Sequence, residues 1–374
     1  MGAVRLRTLT PRDPVWRLKP FVDVAWSINA RDPAWVPPLR RSLYALLRHT
    51  HPFHRHAEVV YFLAERDGEA VGRVAALINH RHNEFHGERI GFFGFFESVP
   101  DPAVAGALLD AAAAWARERG ATALRGPMNF STNEECGLLV EGFARPPMLL
   151  MPHNPPYYAR LLEDQGFAKC KDLVAYLLER GEVPAALERG AELALRRHRV
   201  RLRTLDLRRF REEVRRIQEV YNAAWQRNWG FVPLTNEEIE HLAKELRPIA
   251  DPELCLFVER DDETIGFALA LPNLNEALAH LRDGRLLPLG LPKLLWYRRR
   301  IRGMRLITLG FKPGFQHQGL GPLVYLQIYR TGVAKGYTHA EASWVLEDNW
   351  EMRRAIERIG GRVDKVYRIY ERPL

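Results

Sequence analysis

The chain repeats itself. VRLRTL begins at Val4 and again at Val200, and ERDGEAVG at Glu65 is answered by ERDDETIG at Glu259. AWSINARDPAWVPPL begins at Ala25 and AWQRNWGFVPL at Ala224, while RLLEDQGF at Arg160 is answered by RAIERIGG at Arg354. The four pairs keep one order and a spacing of 194 to 199 residues. Chance can supply one such match, but four in register mean two copies of one domain, so the fold must be one that about half the chain can close. The copies are predicted over 1–180 and 200–374. Between them, 181–199 is rich in Ala, Leu, Arg and Glu and reads as a linking helix, not a flexible tether.

Strand and helix signals alternate within each copy. In the second, the alternating VRLRTL precedes FREEVRRIQEVYNAAW, which has helical spacing, and LCLFVERDDETIGFALAL, a hairpin turning at Asp261 and Asp262. RLITLGF follows as a buried strand. PLVYLQIYRTGVAKGY is a helix with Pro322 at its first position and Gly336 past its end. HAEASWV, NWEMRRAIERIGG and VDKVYRIYE complete the copy as strand, helix and strand. The pattern predicts a mixed α/β domain with a central sheet, made twice.

Of the 374 residues 47% are hydrophobic and 27% charged, the balance of a folded globular chain. No run reaches the roughly 18 apolar residues of a membrane span, and MGAVRLRTLTPRD has neither the apolar core of a signal peptide nor a myristoylation signal. Cys136, Cys170 and Cys255 lie far apart without a CxxC, so neither a disulfide framework nor a cysteine zinc site is expected, and the reducing cytoplasm is the expected compartment. His49, His51, His54 and His56 cluster early, but no carboxylate or Cys group completes a metal site, and they read as a turn into a strand. The net charge of +9 fits a solvated Arg-rich surface, an anionic cofactor, a nucleic acid or an anionic membrane surface, and does not choose among them.

The chemistry points to FKPGFQHQGLGP, Phe311 to Pro322. A glycine loop between a strand and a helix bares backbone N–H groups, and the helix adds the positive end of its dipole, which makes a pocket for phosphate oxygens. The spacing Gln316-His317-Gln318-Gly319-Leu320-Gly321 is neither a Walker loop nor a dinucleotide fingerprint. It resembles the acyl-CoA pyrophosphate loop of the GNAT superfamily of N-acyltransferases, [Q/R]-x-x-G-x-[G/A], with Pro313 in the place of the Pro that often precedes it. Downstream, VLEDNWEMRRAIERIGG resembles the second motif of that family, with Asn349 as the Asn that opens a helix, and the resemblance implies that Asn349 joins Gln316 and His317 of the loop among the cofactor-binding residues. The resemblance covers most of 200–374 and, more faintly, 1–180. It implies two tandem GNAT-like domains, each a central, mostly antiparallel sheet flanked by helices.

The resemblance also implies a reaction: an amine attacks an acyl thioester, with acetyl-CoA or another acyl-CoA as co-substrate and no metal. Amides of Leu309, Gly310 and Phe311 would hold the thioester and pantetheine arm, with Gly310 letting the strand open. Amides of Gln318, Gly319, Leu320 and Gly321 would meet the pyrophosphate, while Pro322 has no N–H to give. The family's usual acid, a Tyr seven residues after the motif Asn, is absent; Ile356 stands there. Candidate bases are few: Glu341 alternates with Ser343 on one face of a strand, and that pair is the expected catalytic group.

The first copy has no glycine pair at the equivalent place. FFESVPDPAVAGALLDAAAAWARERG starts a helix at Asp101 and Pro102, and Glu97 and Asp101 would repel pyrophosphate, so this copy is expected to have lost the cofactor site. Its long loop, 126–158, is dense in Asn, Pro, Met and aromatics and is read as a wall of an acceptor pocket, with Asn129, Ser131, Asn133, Glu134 and Glu135 as its polar candidates. In the second copy, 273–303 carries the basic amphipathic LPKLLWYRRRIR, a substrate lid, a lipid-facing helix or a cationic surface helix. The expected partner is a small-molecule or peptide amine, with no transmembrane segment and no nucleic acid. Two alternatives stay open: a non-catalytic acyl-CoA binder, and an aminoacyl-tRNA-dependent transferase of tandem GNAT-like fold.

Overall fold

Matching hairpin turns mark the two copies. Each needs left-handed backbone, supplied by Asp67 and Gly68 (φ 52° and 84°) and by Asp261 and Asp262 (φ 50° and 63°). Asp tolerates that region better than most residues, so the turn expected at Asp261-Asp262 forms there. The computed structural model describes residues 2–374. The first copy runs β1 (Arg5–Leu9), α1 (Val15–Asn29), α2 (Arg40–Leu47), β2 (Ala57–Arg66), β3 (Glu69–Asn79), α3 (His80–His86), β4 (Ile90–Ser98), α4 (Pro102–Arg117), β5 (Ala123–Gly126), β6 (Leu138–Glu141), α5 (Tyr158–Glu163) and β7 (Ala168–Glu179). After α6 (Ala185–His198), the second runs β8 (Arg201–Thr204), α7 (Phe210–Ala224), α8 (Asn236–Leu246), β9 (Cys255–Arg260), β10 (Glu263–Pro272), α9 (Asn275–Leu278), α10 (Gly290–Arg298), β11 (Gly303–Phe311), α11 (Gly321–Ala334), β12 (His339–Leu346), α12 (Trp350–Arg358) and β13 (Arg362–Pro373).

The compact units do not follow the expected division at 180 and 200. Unit 1 runs to Leu173 and adds Ala277–Arg299 and Lys365–Leu374; unit 2 comprises Val174–Glu276 and Arg300–Asp364. The physical reason is strand pairing. The chain's last strand, β13, pairs antiparallel with β5 in unit 1, from Tyr370↔Gly126 to Pro373↔Ala123. Ion pairs fasten it there: Arg125 Nε donates to Glu371 at 2.6 Å, and Arg368 donates through Nε and Nη2 to Asp172 at 2.8 and 3.0 Å. In unit 2, β12 has β7 as its neighbour.

Unit 1 orders its strands β1-β2-β3-β4-β5-β13, and unit 2 orders β12-β11-β10-β9-β8. Both are antiparallel except for one pair each, β4 with β5 and β11 with β12. In unit 1, α4 covers one face with Val104, Leu108 and Ala112 against Val74, Ala76 and Phe93. In unit 2, Leu323, Val324 and Ile328 of α11 pack on Val258, Ala268 and Met304. The linking segment is helical as expected, but α6 is a working part of unit 2. Its Leu187, Ala191 and Ala194 are buried in the α11 cluster, and Gly190 permits close approach, since a Cβ there would lie 3.0 Å from Pro322.

The early histidines serve packing. His54 is set edge-on to Phe130, and its Nε2 lies 3.2 Å from the Leu46 carbonyl, as in the neutral Nε2–H form. Burial pushes its pKa down to about 4, and His49 and His56 add to the effect against the Leu46 bond. Burial likewise holds His82 at about 4 despite Glu88. Both folded values lie below the unfolded value of about 6.5, so their stabilisation is complete above that pH and is lost as pH falls towards 4. Melting temperature is therefore expected to drop across that window, each histidine contributing at most about 1.4 kcal/mol per pH unit. A pH series of melts should show a shallower drop for His54→Phe.

Candidate functional site

A parting of parallel strands builds the site in unit 2. β11 pairs with β12 only from Gly303↔His339 to Leu306↔Ala342, whereas β10 follows β11 as far as Gly266↔Phe311. Beyond Leu306 the edge of β11 that faced β12 is open, and Leu309, Gly310 and Phe311 lie in this half-buried stretch. Gly310 is explained differently than expected. It pairs with Phe267 in regular strand, and glycine is required there because a Cβ would lie 2.2 Å from the Trp225 ring.

The glycine loop lies where β11 ends and α11 begins. Gly314 and Gly319 have φ of 90° and 73°, and His317 shares the left-handed region at 60°, so the loop turns sharply several times. Gln316 staples it: Nε2 donates to the carbonyls of Ala224 at 3.0 Å and Phe311 at 3.1 Å. Gln318 Nε2 donates to the Gly314 carbonyl. His317 Nδ1 lies 2.5 Å from Glu351 Oε2 on α12. These three side chains hold the loop's shape. Leu320, at the helix N-cap, gives no side-chain cap, and the space at Gly319 and Gly321 is open; a Cβ on Gly321 would meet nothing nearer than Tyr325 at 3.6 Å. Uncapped amides at a helix start with open space before them fit a phosphate group. Asn349 caps α12, its Oδ1 accepting from Met352 N at 3.2 Å.

Ala340 and Ala342 of β12 pack in the clusters beneath α11 and α12, so by alternation Glu341 and Ser343 project to the other face of the sheet. The structure brings this expected pair together and adds a member that the sequence reading missed. Arg305, opposite Glu341 in the strand register, donates from Nε to Ser343 Oγ at 2.8 Å and from Nη2 to the Ser343 carbonyl at 3.2 Å. Ser343 Oγ donates in turn to Glu341 Oε1 at 2.6 Å. All three are buried, so the group is a pre-set chain of charge-assisted hydrogen bonds. The only sequence signal for Arg305 was a lone charge at the head of the apolar run RLITLGF.

On the helix side lies an apolar cavity of about 90 Å³, lined by Leu178, Met304, Leu306, Ile328, Gly332 and Ile356 among others. Leu306 and Ala342, the last paired residues before the strands part, both line it. So does Tyr325, whose hydroxyl donates to Met352 Sδ at 2.8 Å. Burial pushes the Tyr325 phenol up, keeping it protonated. This phenol shares the cavity with Ile356, the residue in the place of the expected Tyr.

Unit 1 shows what became of the equivalent place in the first copy. β4 and β5 pair only from Ile90↔Ala123 to Phe92↔Arg125, and the chain's own loop closes the gap beyond. Met128 N donates to the Phe93 carbonyl at 2.8 Å, and Phe95 N donates to Asn129 Oδ1 at 2.8 Å. Gly94 is required there, because a Cβ would lie 1.8 Å from the Met128 carbonyl oxygen. The residues read as an acceptor wall fasten this plug: Asn129 Nδ2 donates to Glu135 at 3.2 Å, Asn133 N to Ser131 Oγ at 3.1 Å, and Glu134 N to the Ser131 carbonyl at 3.2 Å. Glu97 and Asp101 are structural too. Glu97 accepts from Tyr158 at 2.6 Å and Asn29 at 3.1 Å, and Asp101 caps α4 through Ala103 N at 2.8 Å.

No family model matches the chain. Two relatives do: a protein named bacterial ceramide synthase from Caulobacter vibrioides, 42% identical across 96% of this chain and 95% of its own length, and Protein YghO of Escherichia coli, 35% identical across 96% and 93%. Among solved structures, a tandem GNAT protein from the clavulanic acid biosynthesis pathway covers 99% of this chain and 98% of its own at a TM-score of 0.59 and 12% identity. A GCN5-related N-acetyltransferase from Sphaerobacter thermophilus covers 99% and 95% at a TM-score of 0.52 and 15% identity. Those two likenesses establish the architecture, two GNAT folds in one chain, and the identities above establish the kinship: this tandem GNAT-fold chain belongs to the family of the Caulobacter ceramide synthase and YghO.

Proposed function

We propose that the chain is an N-acyltransferase that moves a long acyl group from coenzyme A to the amine of a sphingoid-type base. The observation that carries this reading is the parting of β11 and β12. Leu306 and Ala342, the last paired residues, line an apolar cavity on the helix side, the buried Glu341–Ser343–Arg305 group lies across the sheet from it, and the loop of uncapped amides follows the end of β11. The relative's name supports the acceptor, because a ceramide is the amide of such a base. The cavity, about 90 Å³ and mainly apolar, supports an acyl group longer than acetyl.

The acyl thioester supplies the electrophile; the chain supplies position and proton traffic. Amides of Gln318 to Gly321 hold the diphosphate, with Pro322 contributing none. The open edge at Leu309 to Phe311 gives N–H groups to the thioester carbonyl as charge develops on it. Glu341 takes the proton released by the attacking amine, through the Ser343 hydroxyl that already donates to it. Arg305 keeps that hydroxyl aimed. Tyr325 offers its proton to the departing thiolate in place of the absent family Tyr.

The test is release of free thiol and formation of amide from palmitoyl-CoA or acetyl-CoA with a sphingoid base. Turnover is expected with the long donor. Gly332→Leu intrudes on the cavity; its Cβ would meet only the flexible end of Met304, at 2.7 Å. If it displaces about three methylenes at about 0.8 kcal/mol each, preference for the long donor falls about fifty-fold. Acetyl-CoA as the only productive donor, or an unchanged chain-length preference in the variant, would overturn the reading.

A further inference from the structure

One face of unit 1 presents apolar and cationic side chains together, and the reaction above does not use it. Around α10, Leu287, Leu289, Leu291, Leu295 and Trp296 are between 43% and 74% exposed within ten residues, and α10 buries none of its own residues. Arg285, Lys293, Arg298 and Arg299 are interleaved with them. The segment stands on a firm base. Arg282 donates to the carbonyls of Trp35, Ala30 and Asp32, Trp26 Nε1 donates to the Arg282 carbonyl at 2.9 Å, and Arg40 N donates to the Gly284 carbonyl at 2.9 Å.

Arg285 also joins this stretch to an open hollow of about 550 Å³, lined by Val15 and Lys19 of α1, Arg41 and Tyr44 of α2 and Arg48 just past it, among others. Trp16, beside Val15 in the chain, is 73% exposed. Asp23 answers Lys19 and Arg40. Arg41, Arg48, Arg285, Lys293, Arg298 and Arg299 make no ion pair among the described residues. No helix of the described residues is long and apolar enough to cross a membrane.

We propose that this face docks the protein on an anionic phospholipid bilayer, with the leucines and tryptophans in the headgroup layer and the six cations on lipid phosphates. Leucine and tryptophan at headgroup depth with Lys and Arg alongside is the composition that binds an interface without spanning it. A nucleic acid would match the cations but leave the exposed leucines in water, at a cost without return. The face binds lipid whether or not the chain turns over substrate, so its test and the test of the reaction fail separately.

The experiment is sedimentation of the full chain with vesicles of phosphatidylcholine alone, or of phosphatidylcholine with phosphatidylglycerol, across a salt series. Binding is expected to the anionic vesicles and to weaken with salt. Arg285→Gln with Lys293→Gln is expected to weaken it roughly 30-fold, about five-fold for each lost cation. Leu289→Ser with Leu295→Ser is expected to lower binding at every salt concentration, while the melting temperature stays that of the wild type, since both side chains are exposed. Brominated phospholipid should quench tryptophan emission in the wild type and quench it less in Trp296→Phe. No binding to anionic vesicles, equal binding to both compositions, or variants that bind as the wild type does would overturn the proposal. So would binding of transfer RNA that the Arg285–Lys293 pair abolishes while vesicle binding persists.

Discussion

Gly321→Glu is expected to remove the thermal stabilisation that acyl-CoA gives the wild-type protein. A ligand at one hundred times its dissociation constant adds about 2.7 kcal/mol to stability, and the variant should lose all of it. The carboxylate would stand at the start of α11, on the amides assigned to the diphosphate, and would fill by charge repulsion the place where phosphate oxygens are held. The position makes a clean test. Its Cβ meets nothing nearer than 3.6 Å, so the fold without ligand should melt as the wild type does. Gly319 is a poorer choice, because its φ of 73° strains any side chain and would confound stability with binding. Melting scans with and without acyl-CoA decide the matter; a full shift in the variant would remove the loop from the site.

Glu341→Gln should separate chemistry from binding. The amide keeps the size of the carboxylate and can still accept from Ser343 Oγ, but it cannot take a proton. We expect kcat to fall about 10²- to 10⁴-fold, the usual yield of a positioned base, with acyl-CoA stabilisation unchanged. Ser343→Ala should weaken turnover by less, since water can bridge a lost hydroxyl. Full activity in Glu341→Gln would move the base elsewhere. A chain that binds acyl-CoA and never releases thiol, whatever the amine offered, would instead be a binder.

The legible parts were those written in local pattern. Apolar period and turn chemistry placed β11, α11, β12, α12 and β13, and Asp261-Asp262 placed a hairpin. Gln316 and the glycines marked the loop, though Gln316 proves to brace it through Ala224 and Phe311. Contacts between residues distant in sequence were not legible. Nothing in the run VDKVYRIYE says that its strand pairs with β5, more than 200 residues earlier, because antiparallel partners are chosen by tertiary packing and not by local propensity. The same holds for Trp225 on Gly310, for Arg305 on Ser343, and for the plug formed by Met128 and Asn129. That loop reads as an acceptor wall because it is polar and aromatic; that its amides and Asn129 also close the gap in their own sheet is not visible in the sequence.

The placement of β13 has a consequence for biosynthesis. Unit 1 is assembled mostly from residues that precede unit 2, yet its sheet includes Lys365–Pro373, which are made only after the whole of unit 2. The amino-terminal half therefore cannot complete its sheet until the carboxy-terminal half has been made. It must wait, with the edge of β5 exposed, until β13 emerges, and a product cut between the two repeats would leave the first of them short of a strand.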